Sequence, residues 1–197
     1  MQKKELINLI KGRRSIRQFQ QKKLPREKIK DCLDAARLAP SASNLQPLEY
    51  FYIDDREKCD EIFPLLEWAG YIQPEGDPKP DQKPTGYLTV LLNKNKENNQ
   101  PKYETGAAIE NFMIAALMYG IGSCWLLSVD REKFREKMSV PDKYKIDSVV
   151  ALGYPAEEPQ IEEFEGSVEY WKDEKGQLHV PKRSLDNIIN INQFGDK

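Results

Sequence analysis

Three arginines fall within five residues, Arg13, Arg14 and Arg17, grouped around Ser15. Further on, the run Pro40-Ser41-Ala42-Ser43-Asn44-Leu45-Gln46-Pro47 supplies hydroxyls and amides in a stretch of turn formers. Guanidinium groups hold phosphate oxygens through paired, charge-assisted hydrogen bonds, and Asn and Gln offer both donor and acceptor to the amide-like edge of a heterocycle. Together the two runs point to a bound nucleotide cofactor, phosphate on one and ring on the other. Each alone has a plainer explanation, a solvated basic turn or a helix-to-strand connection. Ile16 and Phe19 weigh against the first, because they would pin the segment to a core and project the arginines from an anchored backbone. Lys182 and Arg183, near the other end, would complete a phosphate cage.

Other chemistries find little support. His179 is the only histidine, which excludes a histidine-based metal centre, and its place between Leu178 and Val180 suits a structural or surface role. Cys32, Cys59 and Cys124 are odd in number and widely spaced, so they read as ordinary thiols rather than a disulfide framework or zinc site. Gly120-Ile121-Gly122 resembles the start of a dinucleotide fingerprint, but Trp125 stands at the third glycine's place and the motif follows a helix and precedes a strand. That order is the reverse of what a Rossmann site needs; the glycines read instead as a helix end with room for a close ligand. With 30 Lys and Arg against 32 Asp and Glu, there is no broad basic field for nucleic acid. The longest apolar stretch, residues 112–127, is too short to span a bilayer, and no export signal opens the chain, so the expected setting is cytoplasmic.

The positioning elements follow from periodicity and punctuation. Leu6, Ile7, Leu9 and Ile10 form one face of a first helix ending at Gly12; Pro25 begins a second, with Ile29, Cys32, Leu33 and Ala36 inward, that Pro40 stops. Residues 49–53 read as a strand and 56–68 as a short helix disturbed by Pro64, while prolines and glycines make 71–86 a long surface loop. A buried strand at 87–92, a polar turn at 93–102 and the most buried helix at 105–119 come next. A strand over 123–129, a helix capped by Asp130 and a buried strand at 146–152 closed by Gly153 and Pro155 complete the core. Five carboxylates in residues 157–165 beside Pro159 then predict a solvated, extended arm, with order returning at 167–171 and 178–183 and a last helix near 185–191. We expect one domain over 1–197, its arm beginning at 156.

The ordered segments RRSIRQF, PSASNLQP, ETGAAIENFMIAAL, YGIGSCWLLSVD, ALGYPAEEP and LHVPKRSLDNII resemble the FMN-dependent nitroreductase family over essentially the whole chain. The resemblance implies an α+β fold, a central mixed β-sheet flanked by helices, in an intertwined homodimer with an exchanged C-terminal arm and FMN at the interface. By position, Arg13, Ser15, Lys182 and Arg183 would hold the FMN phosphate, with Arg14 nearby. Arg17 would face the ring edge that gains negative charge on reduction, raising the potential. Ser41, Ser43, Asn44 and Gln46 would reach the same flavin from the partner subunit, and Leu126, Leu127 and Ser128 would meet it through backbone. The implied activity is hydride transfer from NADH or NADPH to nitroaromatic, quinone or related acceptors, with no catalytic side chain beyond the cofactor-binding set. A flavin storage or sensor protein, or an ene-reductase or dehalogenase relative, is the alternative. Leu48 stands where many members carry tryptophan, and the Pro-rich run replaces a helical insertion that shapes the pocket in larger members.

Overall fold

The computed structural model describes residues 3–96 and 101–195. Among the described residues five α-helices, α1 (Lys3–Gly12), α2 (Arg26–Arg37), α3 (Arg56–Ile62), α4 (Pro101–Met118) and α5 (Arg131–Met138), surround a sheet of β1 (Phe19–Gln20), β2 (Leu48–Ile53), β3 (Gly86–Asn93), β4 (Gly122–Leu126) and β5 (Tyr144–Pro155). β5 is the spine: β3 and then β2 lie on one side of it, and on the other β4 and β1 follow one another along its length. All these ladders are antiparallel, and the sheet is mixed only through a parallel bridge from Ser15 to Ser123. That bridge ties the arginine run to β4.

Both sheet faces are covered, which is why residues 87–92 of β3 are apolar apart from the buried Thr89. Leu88, Val90, Val150 and Leu152 pack under α2 and α4 with Ile29, Ala108, Ile109 and Phe112; Tyr87, Val149 and Ala151 pack with Ile62, Phe134 and Trp68 on the side of α3 and α5. The expected Asp130 cap holds, whereas Gly12 ends α1 without a left-handed conformation. Asp130 Oδ1 accepts from Lys133 N at 3.1 Å, and Gly120, at φ 71°, closes the turn after α4. None of the described helices is long and apolar enough to cross a membrane.

Four expectations need correction. β5 does not close at Gly153; it runs on to Pro155 because β1 supplies an edge partner there, and Gly153 is required inside the strand, where a Cβ would lie 2.7 Å from the Phe19 ring. β4 stops at Leu126, short of 129. The acidic stretch is not free of structure: β6 (Gln160–Glu163) pairs in parallel with β8 (Leu178–Lys182), which β7 (Trp171–Lys172) joins on its other edge. No helix forms at 185–191, where the chain makes one turn; an apolar helix face needs a surface to pack on, and Leu185, Ile188, Ile189 and Ile191 are exposed. The predicted polar turn at 93–102 falls partly on residues 97–100, outside the described residues.

The Pro-rich loop is more tightly held than a surface wrap. Gln18, itself buried, donates from Nε2 to Asp77 O at 2.9 Å and accepts from Lys79 N at 3.0 Å, and Phe19 N donates to Gln82 O at 2.9 Å. The loop is therefore tied directly to the arginine run.

Candidate functional site

The arginine run leaves the end of α1 and is fixed at three points. Ile16 and Phe19 are buried, Ile16 N donates to Ser123 O at 2.9 Å, and Glu157 Oε1 accepts from Arg17 N at 2.5 Å and Gln18 N at 3.1 Å. Glu157 belongs to the stretch predicted to be solvated; here the start of the arm is a clamp on the arginine loop. Arg13 and Arg14 line an open cavity of about 570 Å³ with Met113 and Leu117 of α4, Gly122 and Ser123 of β4, and residues 157–161. Arg13 Nε lies 3.0 Å from Glu110 Oε1. The Arg14 guanidinium donates to Arg13 O. Burial, and then the charge of Arg13, pull Arg14 below the usual arginine range.

Arg17 is disposed differently. It does not line that cavity; its guanidinium carbon lies 5.1 Å from the centroid of the Tyr170 ring, and its Nε is buried without a hydrogen-bond partner. Cys124, fully buried, lies beside it; burial pushes that thiol up against the opposing pull of Arg17. Beyond β4, Leu127 and Ser128 are exposed while their carbonyls accept from Arg131 Nη2 at 3.0 Å and Glu67 N at 3.2 Å, and Leu126 is buried.

The polar loop lies elsewhere. Ala42–Asn44 forms a short 3-10 turn with Ser43, Asn44 and Gln46 all at positive φ, and Gln46 Nε2 donates to Asn44 Oδ1 at 3.0 Å. Glu104, buried in the first turn of α4, accepts from Ser41 Oγ at 3.1 Å and Ala42 N at 2.7 Å. Ser41 and Gln46 line a second cavity of about 280 Å³ with Arg37, Glu49, Tyr50 and Lys96. Hydrogen bonds from Tyr144 first, and from Asn93, lower the Glu49 carboxyl there. The two cavities share no residue. Their anchoring carboxylates, Glu104 and Glu110, are six residues apart on one helix, about 9 Å along its axis and turned through about 240°. Lys182 and Arg183 are exposed at the end of β8 and line neither cavity; Arg183 donates to Asn187 O at 2.7 Å.

Within one chain, then, Arg13, Arg14 and Ser15 are gathered beside β4, with Arg17 next in the loop, while the 41–46 loop and the 182–183 pair stand apart. Glu104, Glu110, Glu157 and Tyr170 were missed from sequence. For the first two a signal existed, since they are the only charged residues in the largely apolar run from 104 to 118.

The nitroreductase family profile matches residues 10–154. The chain belongs to the nitroreductase family. A relative from Archaeoglobus fulgidus, provisionally named an NADH dehydrogenase/NAD(P)H nitroreductase, is 34% identical over 168 residues, covering 81% of this chain and 90% of its own. Two solved structures share the fold. A protein from Desulfovibrio desulfuricans, provisionally named a nitroreductase and solved in complex with FMN, aligns at TM-score 0.71 and 21% identity, over 96% of this chain and 98% of that one. An FMN-dependent nitroreductase from Clostridium difficile aligns at TM-score 0.69 and 23% identity, over 95% and 99%. The nitroreductase match runs from the end of α1 into β5 and takes in the arginine run, the second cavity, and the first cavity apart from Pro155 and residues 157–161.

Proposed function

We propose that this protein is an FMN-dependent oxidoreductase that takes reducing equivalents from NADH or NADPH and passes them, in a ping-pong cycle, to nitroaromatic, quinone or related acceptors. The observation that carries it is the anchored arginine loop beside β4, with Arg14 lowered by its surroundings and Arg17 Nε buried without an acceptor. Unpaired buried donors are costly and call for an anionic or carbonyl partner. Membership of the family and the two FMN-bearing or FMN-dependent neighbours in fold support the choice of that partner.

Bound FMN would supply the hydride-accepting and hydride-donating centre. The chain's own work is to bind and orient it. Arg13, Arg14 and Ser15 hold the phosphate, with Lys182 and Arg183 brought in from the arm; Arg17 places a cation at the ring edge; the backbone of Leu126, Leu127 and Ser128 borders the ring. Ser41, Ser43, Asn44 and Gln46 come from a second copy. That assignment accounts for two cavities with no residue in common, and for the apolar side chains exposed on α1 (Leu6, Ile7, Ile10) and after β8 (Leu185, Ile188, Ile189, Phe194), which a homodimer would cover. Of the arm over 156–197, the part up to Lys172 docks on its own chain, so the stretch after Lys182 is the part offered to the partner subunit. A cytoplasmic setting fits three free, buried thiols.

The test is to denature the purified protein and identify the released flavin, then to follow anaerobic bleaching by NADH and NADPH and reoxidation by an acceptor panel. FMN, bleaching and reoxidation are expected. FAD as the main flavin, or a bound flavin that neither nucleotide bleaches, would overturn the reading.

A further inference from the structure

We infer that Tyr170 is the positioning residue for Arg17, holding the guanidinium by its face so that the nitrogens at its edge stay available to the flavin. The inference rests on the placement of Arg17 at the flavin ring given above.

Arginine carries several freely rotating bonds, and without a fixing contact its head samples many positions at a cost in whatever it must hold. Among the described residues no carboxylate pairs with the Arg17 side chain, and its Nε has no acceptor. Two groups meet its head: the Cys124 thiol on the buried side, and the Tyr170 ring, whose centroid is 5.1 Å from the guanidinium carbon. A guanidinium over a ring face is held by charge–quadrupole attraction without using up its N–H groups, which leaves them for a second partner. Tyr170 is in turn held on two sides. Tyr71 meets it edge to face at a centroid separation of 5.0 Å, and the next-but-one residue, Lys172, donates to Glu75 O at 2.7 Å. Both partners lie in the Pro-rich loop, which is fastened at Asp77 and Lys79 by Gln18, the residue following Arg17. With Glu157 on the Arg17 backbone, the arm grips this one arginine at both ends. The arm thus sets the electronics of the cofactor as well as contributing to its binding.

The experiment is the midpoint potential of flavin in the loaded protein, by anaerobic titration against a reference dye, for wild type, Arg17→Ala, Tyr170→Leu, Tyr170→Phe and the Arg17→Ala/Tyr170→Leu double variant. Tyr170→Leu is expected to reduce the equilibrium constant for flavin reduction about fivefold, about 20 mV at ~30 mV per tenfold for a two-electron couple. Tyr170→Phe should stay at the wild-type value, since it keeps the ring face. The double variant should lie no lower than Arg17→Ala alone, because Tyr170 acts through Arg17. A potential unmoved by Tyr170→Leu while Arg17→Ala shifts it overturns the positioning role and leaves the reading of Arg17 intact. No shift with Arg17→Ala itself overturns both. Should Tyr170→Leu lose its flavin, Tyr170→Trp offers a larger ring face; a fall to the Arg17→Ala value in that variant, or in Tyr170→Phe, also overturns the inference.

Discussion

Replacing Glu157 by alanine should detach the start of the arm from the arginine loop. One carboxylate oxygen accepts from two consecutive amides, Arg17 N at 2.5 Å and Gln18 N at 3.1 Å, and Gln18 is a buried residue. Hydrogen bonds to a charged acceptor contribute about 1.5–3 kcal/mol each, so complete loss of both sets an upper bound of about 3–6 kcal/mol. Glu157 is only half-buried, and water can reach part of the vacated site, which brings the expected loss to about 2–4 kcal/mol. For a chain of this size that lowers the melting temperature by roughly 4–16 °C. Glu157→Gln keeps a neutral acceptor and should lose about half as much. Urea unfolding with a fixed slope, at matched protein concentration and with flavin loading held constant, gives the difference. A loss below about 0.5 kcal/mol for the alanine variant would refute the clamp and return Glu157 to the solvated face of the arm.

Arg13→Ala should weaken FMN binding by about ten- to a hundredfold, as expected for one charge-assisted phosphate contact, measured by fluorescence titration of the apoprotein; an unchanged Kd would place the phosphate elsewhere. Arg17→Ala should instead lower the two-electron potential by on the order of 20–45 mV, from loss of a partly screened charge interaction of ~1–2 kcal/mol; loss of affinity alone, at constant potential, would make Arg17 a phosphate ligand. His179, with Glu162 Oε1 2.5 Å from Nδ1 and Asp173 Oδ2 3.6 Å from Nε2, is raised above the ordinary histidine value, by Glu162 first. Its ion pairs therefore steady the arm sheet fully below pH 6.5 and weaken as pH rises through its higher folded value. As His179 is the only histidine, one NMR resonance reports the titration, and a midpoint at or below 6.5 would contradict the pairing.

Much of the scaffold was already determined by the sequence, because the forces that set it act over a few residues. The largely apolar run of α4, the Asp130 cap, the stop at Gly12 and the large apolar residues of β3 each decide a local conformation without help from distant chain. The clustering of Arg13, Arg14 and Ser15 belongs to the same class, since residues so close in sequence share one loop wherever it lies. What only the tertiary structure decided depends on partners nearly a hundred or more residues away: Glu110 on Arg13, Glu157 on the Arg17 amide, Tyr170 on the Arg17 guanidinium, Glu75 on Lys172. A carboxylate such as Glu157 reads as solvated until two unpaired amides are brought to it, and an acidic segment such as β6 reads as extended coil until β8 offers a ladder. Periodicity carries no record of those meetings. The failed helix at 185–191 shows the converse: its apolar pattern was legible, but an apolar face becomes a helix only against a surface, and the single chain does not supply one.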